Sequence, residues 1–123
     1  MAKILVIDDD HTIRLSLKMA LEDAEHHVEE AADGEEGMIC LRNNPADLVV
    51  TDIFMPEKEG LETIDEIRRN WPRTKIIAIS GGGRMDPDDY LEIARRLGAD
   101  RTFCKPFDIS LLVATVDELL GLG

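Results

Sequence analysis

Residues 3–10 read KILVIDDD, in which four consecutive aliphatic side chains are followed by three consecutive acids. A short apolar run without alternation is typical of a strand that is buried on both faces of a parallel sheet. Two more runs have this form: LVVT at residues 48–51 precedes Asp52, and IIAI at residues 76–79 precedes Ser80. The three runs predict the central strands of one parallel sheet.

Helical periodicity fills the intervals between these strands. In residues 12–25, Ile13, Leu17 and Leu21 recur at steps of four and form one apolar helix face. The predicted strands are 4–7, 28–31, 48–51, 76–79 and 101–104, with 28–31 near an edge, and the predicted helices are 12–25, 37–43, 60–70, 87–97 and a last one that Asp108 caps. Five strands that alternate with five helices predict an α/β domain with one open parallel sheet and helices on both faces.

Length, charge and hydropathy limit the class of protein. A chain of 123 residues suits one domain spanning residues 1–123. Its 26 acids and 14 bases give a net charge of −12, which opposes direct binding of nucleic acid. No apolar run approaches the roughly 20 residues that cross a bilayer, and the N-terminus does not read as a secretory signal, so we expect no membrane partner and a cytoplasmic location. Cys40 and Cys104 form no CxxC pair, and we expect both to be reduced and buried.

Polar side chains follow four of the five predicted strands. Asp8 and Asp9 follow the first strand, Asp52 the third, Ser80 the fourth and Lys105 the fifth. The carboxyl ends of parallel strands meet at one edge of the sheet, where ligands bind in such folds. Carboxylates gathered there repel one another unless some are protonated or a cation lies between them. All-oxygen ligands favour Mg²⁺ or Mn²⁺, and the absence of His and Cys from these positions disfavours zinc and copper.

Each of these residues also has an explanation that needs no shared site. An Asp after a strand commonly caps the next helix, as we expect for Asp10, and the same explanation applies to Asp8 or Asp9 taken alone. Ser80 before three glycines suits a turn, and Lys105 before a proline suits the end of a strand. Capping and turns do not require all of them at one edge. The joint pattern therefore favours a receptacle for a phosphoryl group, in which one carboxylate can act as nucleophile.

Four short motifs occur in order on these elements. They are Ile7-Asp8-Asp9-Asp10, Asp52-Ile53-Phe54-Met55-Pro56 with Gly60 after it, Ser80-Gly81, and Lys105-Pro106-Phe107. With these motifs, essentially the whole chain resembles the receiver domain of two-component response regulators. The resemblance implies a flavodoxin-like, three-layer αβα sandwich with strand order 2-1-3-4-5.

The resemblance also implies a phosphorylation-dependent signalling switch. In this family's pattern Asp52 accepts phosphate from a histidine kinase or a histidine phosphotransfer protein, Lys105 contacts the phosphoryl group, and Ser80 is the switch hydroxyl. Such a module is not an enzyme, apart from its intrinsic autophosphorylation and autodephosphorylation. It passes the signal on by binding a downstream protein target.

A Mg²⁺ site follows from the same resemblance. Asp9 is expected to bind the ion directly, and Asp8 mostly through water. Asp52 and the backbone carbonyl of Phe54 complete the protein ligands implied by the family. Mn²⁺ is the alternative ion.

The output end of the switch departs from the family pattern. Thr102 stands where the family usually has an aromatic residue, and strand alternation places the neighbouring Phe103 on the opposite face of the sheet. The loop 81–86 begins with three glycines, so we expect it, together with the start of the following helix, to carry the conformational response instead.

Alternative functions differ in the residues that they need. The last helix ends at residues 121–123, which suggests a stand-alone regulator, and a receiver fragment of a longer regulator is the close alternative. A Mg²⁺-dependent phosphatase or phosphotransferase could use Asp52 as nucleophile, but such enzymes usually carry a second acid two residues on, where this chain has Phe54. A flavin-binding carrier would need a phosphate cradle where this chain has three acids.

Overall fold

The architecture alternates strands and helices, as predicted. In the computed structural model the described residues are 2–53, 60–80 and 87–122. The strands are β1 (Lys3–Ile7), β2 (His27–Ala31), β3 (Leu48–Asp52), β4 (Lys75–Ser80) and β5 (Arg101–Cys104), and the helices are α1 (His11–Asp23), α2 (Gly34–Asn43), α3 (Gly60–Asn70), α4 (Pro87–Leu97) and α5 (Ile109–Leu119). The strands form one parallel sheet in the order β2-β1-β3-β4-β5. This is the flavodoxin-like order, and the predicted edge position of β2 is confirmed.

Alternate residues of the central strands build two cores, one on each face of the sheet. On one face Leu5, Val49 and Ile76 pack with apolar residues of α2, α3 and α4. On the other face Val6 and Val50 pack with apolar residues of α1 and α5. Successive side chains of a strand point to opposite faces, so a continuous aliphatic run supplies both cores. The result is the three-layer αβα sandwich, with the sheet as the middle layer.

The ends of the helices show where the predicted boundaries are wrong. Helix α2 begins at Gly34 rather than Gly37, because the Asp33 side chain caps it by accepting a hydrogen bond of 2.9 Å from the Glu36 N–H. Helix α1 ends at Asp23 rather than Glu25, since Glu25 has a φ of 71° and cannot continue a right-handed helix.

Other predictions about single residues have mixed outcomes. Asp10 and Asp108 cap α1 and α5, each by accepting hydrogen bonds from two backbone N–H groups of the first turn, as predicted. The prediction that both cysteines are buried is wrong: Cys40 is half-buried and Cys104 is exposed, because β5 is an edge strand. In the described part of the chain, no helix is both long enough and apolar enough to cross a membrane.

Arg68 of α3 joins three segments at the amino end of the sheet. Its guanidinium donates to the carbonyls of Pro72 (2.9 Å), Thr74 (3.1 Å) and Gly98 (2.7 Å). It also donates to Asp100 Oδ2 at 3.1 Å, and that oxygen accepts the Ile76 N–H at 2.8 Å. The guanidinium therefore provides a donor for three loop carbonyls. It also orients the Asp100 carboxylate, which accepts the Ile76 N–H near the start of β4.

We expect Arg68→Ala to lower the free energy of unfolding by about 2–3 kcal/mol, because three carbonyls lose a donor and the Asp100 carboxylate keeps only the Ile76 N–H of the two donors described. Urea denaturation followed by circular dichroism measures this change. Arg69→Ala is the matched control, since Arg69 is 71% exposed and pairs only with Asp65 on its own helix among the contacts described. Its cost should stay below about 0.5 kcal/mol. Equal losses in the two variants would contradict a role for the Arg68 network.

Candidate functional site

The carboxyl edge of the sheet gathers the predicted site residues from four adjacent strands. Asp8 follows β1, Asp52 ends β3, Ser80 ends β4 and Lys105 follows β5. Strands β1, β3, β4 and β5 are neighbours in that order, so residues far apart in sequence end at one place. Asp9 completes the set on the β1–α1 connection.

Lys105 lies between two of the acids. Its Nζ donates a hydrogen bond of 2.9 Å to Asp52 Oδ2 and lies 3.4 Å from Asp8 Oδ2. Carboxylate oxygens of Asp8, Asp9 and Asp52 lie within 4.8 Å of one another. We call these three residues the acidic cluster. One ammonium against three carboxylates leaves the site with an excess of negative charge.

Burial makes this excess costly. Asp8 and Asp52 are 1% and 4% exposed, whereas Asp9 is exposed. Asp8 Oδ1 accepts the Asp10 N–H at 2.9 Å. Among the residues that the structure describes, Asp8 Oδ2 and the fully buried Ser80 Oγ have no hydrogen-bond partner. Buried polar atoms of this kind point to a bound group that would satisfy them.

The environment shifts the pKa values of two site residues upward. Burial raises the pKa of Asp8 to about 6 and the charge of Asp52 adds to the increase, although the Asp10 N–H and Lys105 oppose it. Burial alone would lower the pKa of Lys105, but its hydrogen bond to Asp52 and the two carboxylate charges raise the pKa above its usual value. Lys105 therefore stays charged, and it is the carboxylates that need a further cation.

The acidic cluster fits a magnesium ion. Its donors are carboxylate oxygens, which Mg²⁺ prefers, and Asp8 offers a buried oxygen without a hydrogen bond. Asp8, Asp9 and Asp52 are the residues that would hold the ion. The carbonyl of Phe54, the fourth expected ligand, lies outside the described residues.

The main chain around Asp52 is held by close packing. The Ile53 N–H donates to Ile79 O, and the Gly60 N–H donates to Ile53 O, each at 2.9 Å. A Cβ on Gly60 would overlap the Asp52 carbonyl and lie 2.5 Å from Ile53 Cα. The start of α3 can therefore approach β3 this closely only with glycine at position 60. The main chain at Lys105 is held by a hydrogen bond, since its N–H donates to Ser80 O at 2.8 Å.

Sequence reasoning missed Arg14. The Arg14 Nη1 donates to the main-chain oxygen of Asp8 at 2.6 Å, and its Nε donates to Glu30 Oε1 at 3.2 Å. The available signal was weak: a basic residue in the second turn of α1 and an acid on the neighbouring strand β2. Neither residue belongs to a motif of the sequence analysis.

The two faces of β5 separate Thr102 from Phe103, as the strand alternation predicts. Thr102 Oγ1 accepts from Arg95 Nη2 of α4 at 3.4 Å. Phe103 packs on the opposite face against Phe107, with ring centroids 6.0 Å apart. The loop 81–86, to which we assigned the conformational response, lies outside the described residues, so that assignment stays a prediction.

The sheet and the residues at its carboxyl edge fall within one known family of domains. The profile of the family described as "Response regulator receiver domain" matches residues 4–117. The chain belongs to this family. It is a receiver domain of two-component response regulators, a module of phosphorylation-dependent signalling.

Individual relatives of the receiver domain differ in total length. This chain is 34% identical to the "Probable chemotaxis protein CheY" of Rhizobium etli, over 97% of its own length and 92% of the relative. It is 35% identical to the "Transcriptional regulatory protein CpxR" of Klebsiella pneumoniae, over 98% of this chain but only 50% of the relative. The chain thus spans about half the length of several curated relatives that it matches.

Solved structures agree with the family assignment. A CheY-like response regulator receiver domain protein from Methanospirillum hungatei superposes with a TM-score of 0.88 at 29% identity, over 100% of this chain and 99% of that one. Receiver domains are signalling switches rather than enzymes, and they interact with histidine kinases or phosphotransfer proteins. The strand order β2-β1-β3-β4-β5 agrees with this assignment.

In the metal-free receiver domain, we expect stability to fall as pH rises from about 4 to 6. The folded state holds the Asp8 proton more tightly than the unfolded chain, because the pKa of Asp8 is about 6 when folded against 3.8 for the isolated group. The penalty is absent at low pH and complete above the folded pKa, where a shift of two units corresponds to at most about 3 kcal/mol. Asp8→Asn should remove most of this slope.

Urea unfolding in EDTA at several pH values between 4 and 8 tests this expectation. Asp33→Asn is the control, because Asp33 lies outside the acidic cluster and Asn caps a helix as well as Asp. The control should keep the wild-type slope. If Asp8→Asn keeps it as well, burial of Asp8 is not its source.

Proposed function

We propose that Asp52 is the phosphoacceptor of this receiver domain and that a histidine kinase or histidine phosphotransfer protein is the donor. The observation that carries the proposal is the 2.9 Å hydrogen bond from the Lys105 ammonium to the nearly buried Asp52 carboxylate at the end of a central strand. Asp8 and Asp9 stand beside that pair, and Ser80 presents a buried hydroxyl without a partner among the described residues. Once a cation neutralises the acidic cluster, the Lys105 ammonium and the Ser80 hydroxyl suit an incoming group that is rich in acceptor oxygens.

The transfer is a displacement at phosphorus. A carboxylate oxygen of Asp52 forms the new P–O bond while the P–N bond of a phosphohistidine breaks, and an imidazole protonated at its second nitrogen leaves as a neutral ring. Lys105 places its charge where the phosphoryl oxygens arrive, and it is already oriented by its bond to Asp52. Ser80 Oγ can donate to one of those oxygens, which supplies the partner that the buried hydroxyl lacks.

Asp8, Asp9 and Asp52 hold Mg²⁺ in this proposal. When bound, the ion neutralises the acidic cluster and the phosphoryl oxygens. Asp8 and Asp9 orient that charge towards Asp52, since their carboxylate oxygens lie within 4.8 Å of one another. Mn²⁺ can substitute, because it accepts the same oxygen donors.

The signal is passed on by contact with a downstream protein in the cytoplasm, without direct contact to nucleic acid. The charge of −12 supports this proposal, since such a surface repels phosphate backbones. The intrinsic autophosphorylation and autodephosphorylation expected of receivers are part of the same proposal. The chain acts in this way either alone or as the receiver of a longer regulator.

Incubation with acetyl phosphate and Mg²⁺ should add the mass of one phosphoryl group to the wild-type protein, as measured by intact mass spectrometry. The Asp52 carboxylate displaces acetate, so Asp52→Asn should carry no adduct, because its amide is a poor nucleophile. Asp47→Asn is the control, since Asp47 lies at the opposite edge of the sheet and binds the Lys3 N–H. A full adduct on Asp52→Asn would refute the assignment, and an unmodified control would point to a general loss of the fold.

Mg²⁺ should raise the melting temperature of the wild-type protein, because a ligand that binds only the folded state adds about 2.7 kcal/mol at one hundred times its Kd. Asp9→Asn should lose most of this stabilisation. Asp10→Asn removes the same charge one residue away but keeps the helix cap, and Asp10 is outside the acidic cluster. Its response to Mg²⁺ should stay near wild type in thermal melts. An undiminished response in Asp9→Asn would remove Asp9 from the ligands.

A further inference from the structure

Arg14 contacts the main chain of the acidic cluster and two neighbouring side chains. Its side chain is only 15% exposed. Nη1 donates to Asp8 O at 2.6 Å, Nε donates to Glu30 Oε1 at 3.2 Å, and Nη2 donates to His11 Nδ1 at 3.2 Å. The planar guanidinium thus binds three separate segments at fixed angles: the end of β1, strand β2 and the first residue of α1.

The contact with Asp8 fixes the peptide that joins two residues of the acidic cluster. A peptide unit is planar, so binding the Asp8 carbonyl sets the plane from which Asp9 continues. The other end of the Asp8 backbone is held as well, since its N–H donates to Ala31 O at 3.1 Å. The turn then closes through the Asp10 N–H, which donates to Asp8 Oδ1 at 2.9 Å. Without Arg14, Asp8 O loses its only described donor, and the Asp8–Asp9 peptide loses one of the restraints on its orientation.

The charge of Arg14 acts against a cation in the acidic cluster. A guanidinium close to the Asp8 carbonyl repels Mg²⁺, and the carboxylate of Glu30 offsets this repulsion only in part. Lys18 adds a second positive charge beside the same acid, 3.5 Å from Glu30 Oε2. Electrostatics alone therefore predicts that removal of either base strengthens Mg²⁺ binding.

We propose that Arg14 is a positioning residue of the Mg²⁺ site, which holds the Asp8–Asp9 peptide so that both carboxylates face the ion. This inference rests on the metal site of the proposed function. For Mg²⁺ affinity, the positioning of the Asp8–Asp9 peptide outweighs the repulsion between the guanidinium and the ion. Mutation of residues that orient metal ligands typically changes metal affinity by 10–100-fold. The loss of Arg14 consequently weakens binding although it removes a positive charge.

Calorimetric titration of the metal-free proteins with MgCl₂ tests the sign of the effect. Arg14→Ala should raise the Kd for Mg²⁺ about tenfold. Arg14→Lys keeps the charge but not the planar fork, and should also raise the Kd, by several-fold. Lys18→Ala is the matched control: it removes a base that binds Glu30 but does not contact Asp8, so its Kd should be unchanged or lower. If Arg14→Ala binds as tightly as wild type or more tightly, the inference is wrong, and a wild-type Kd in Arg14→Lys contradicts the role of the planar fork.

Amide hydrogen exchange without metal separates this inference from the metal site itself. The Asp10 N–H should exchange faster in Arg14→Ala and Arg14→Lys than in wild type, because Asp8, which provides its acceptor, is held less firmly. It should be unchanged in Lys18→Ala. A wild-type protein that does not bind Mg²⁺ contradicts the proposed metal site, whereas unchanged Asp10 exchange in both Arg14 variants contradicts the positioning role. If Arg14→Ala does not fold, Arg14→Lys decides both measurements.

Discussion

The burial of two carboxylates beside one ammonium is the constraint on which the site depends. Asp8 and Asp52 are almost fully enclosed, and Lys105 Nζ reaches both at 3.4 and 2.9 Å. Charges removed from water are costly unless partners satisfy them, so this edge of the sheet is stabilised less well than its aliphatic centre. The fold tolerates the cost because strands β1, β3 and β4 bury continuous apolar runs just before these residues. A site with excess negative charge is thereby fixed on a rigid sheet and suited to cations and to phosphoryl groups that arrive with them.

The sequence was sufficient to predict that polar residues gather at one edge of the sheet, because this depends only on the order and direction of the strands. Each aliphatic run ends in a polar residue, and parallel strands deliver such residues to the same edge, so Asp8, Asp52 and Lys105 could be brought together although 97 positions separate the first from the last. Helix ends were predicted less well, because they depend on single side chains. The second helix was predicted to begin at residue 37, whereas the Asp33 carboxylate accepts the Glu36 N–H and starts α2 at Gly34.

Contacts that depend on side-chain conformation were beyond the sequence. Arg14 has no motif, and its hydrogen bond to Asp8 O requires that α1 leave β1 at one particular angle. Gly60 was noted only as a member of a motif. Its physical reason, the overlap that a Cβ would have with the main chain at Asp52 and Ile53, appears only when α3 is packed against β3. In both cases the missing information is the distance between a helix and the end of a strand.

Hydrogen bonds between the last two strands connect the site near Asp52 to the edge of the sheet. Ser80 and Lys105 are joined through the main chain, since the Lys105 N–H donates to Ser80 O, and Ser80 lies opposite Cys104 in the register of β4 and β5. The main chain at Ser80 is therefore coupled to the end of β5 by a hydrogen bond. Two residues earlier on that strand, Thr102 contacts Arg95 of α4 through a single polar contact of 3.4 Å. Among the described residues, the polar connection from the acidic cluster to α4 thus runs through backbone hydrogen bonds and this one long contact, beside the apolar packing of α4 on β4.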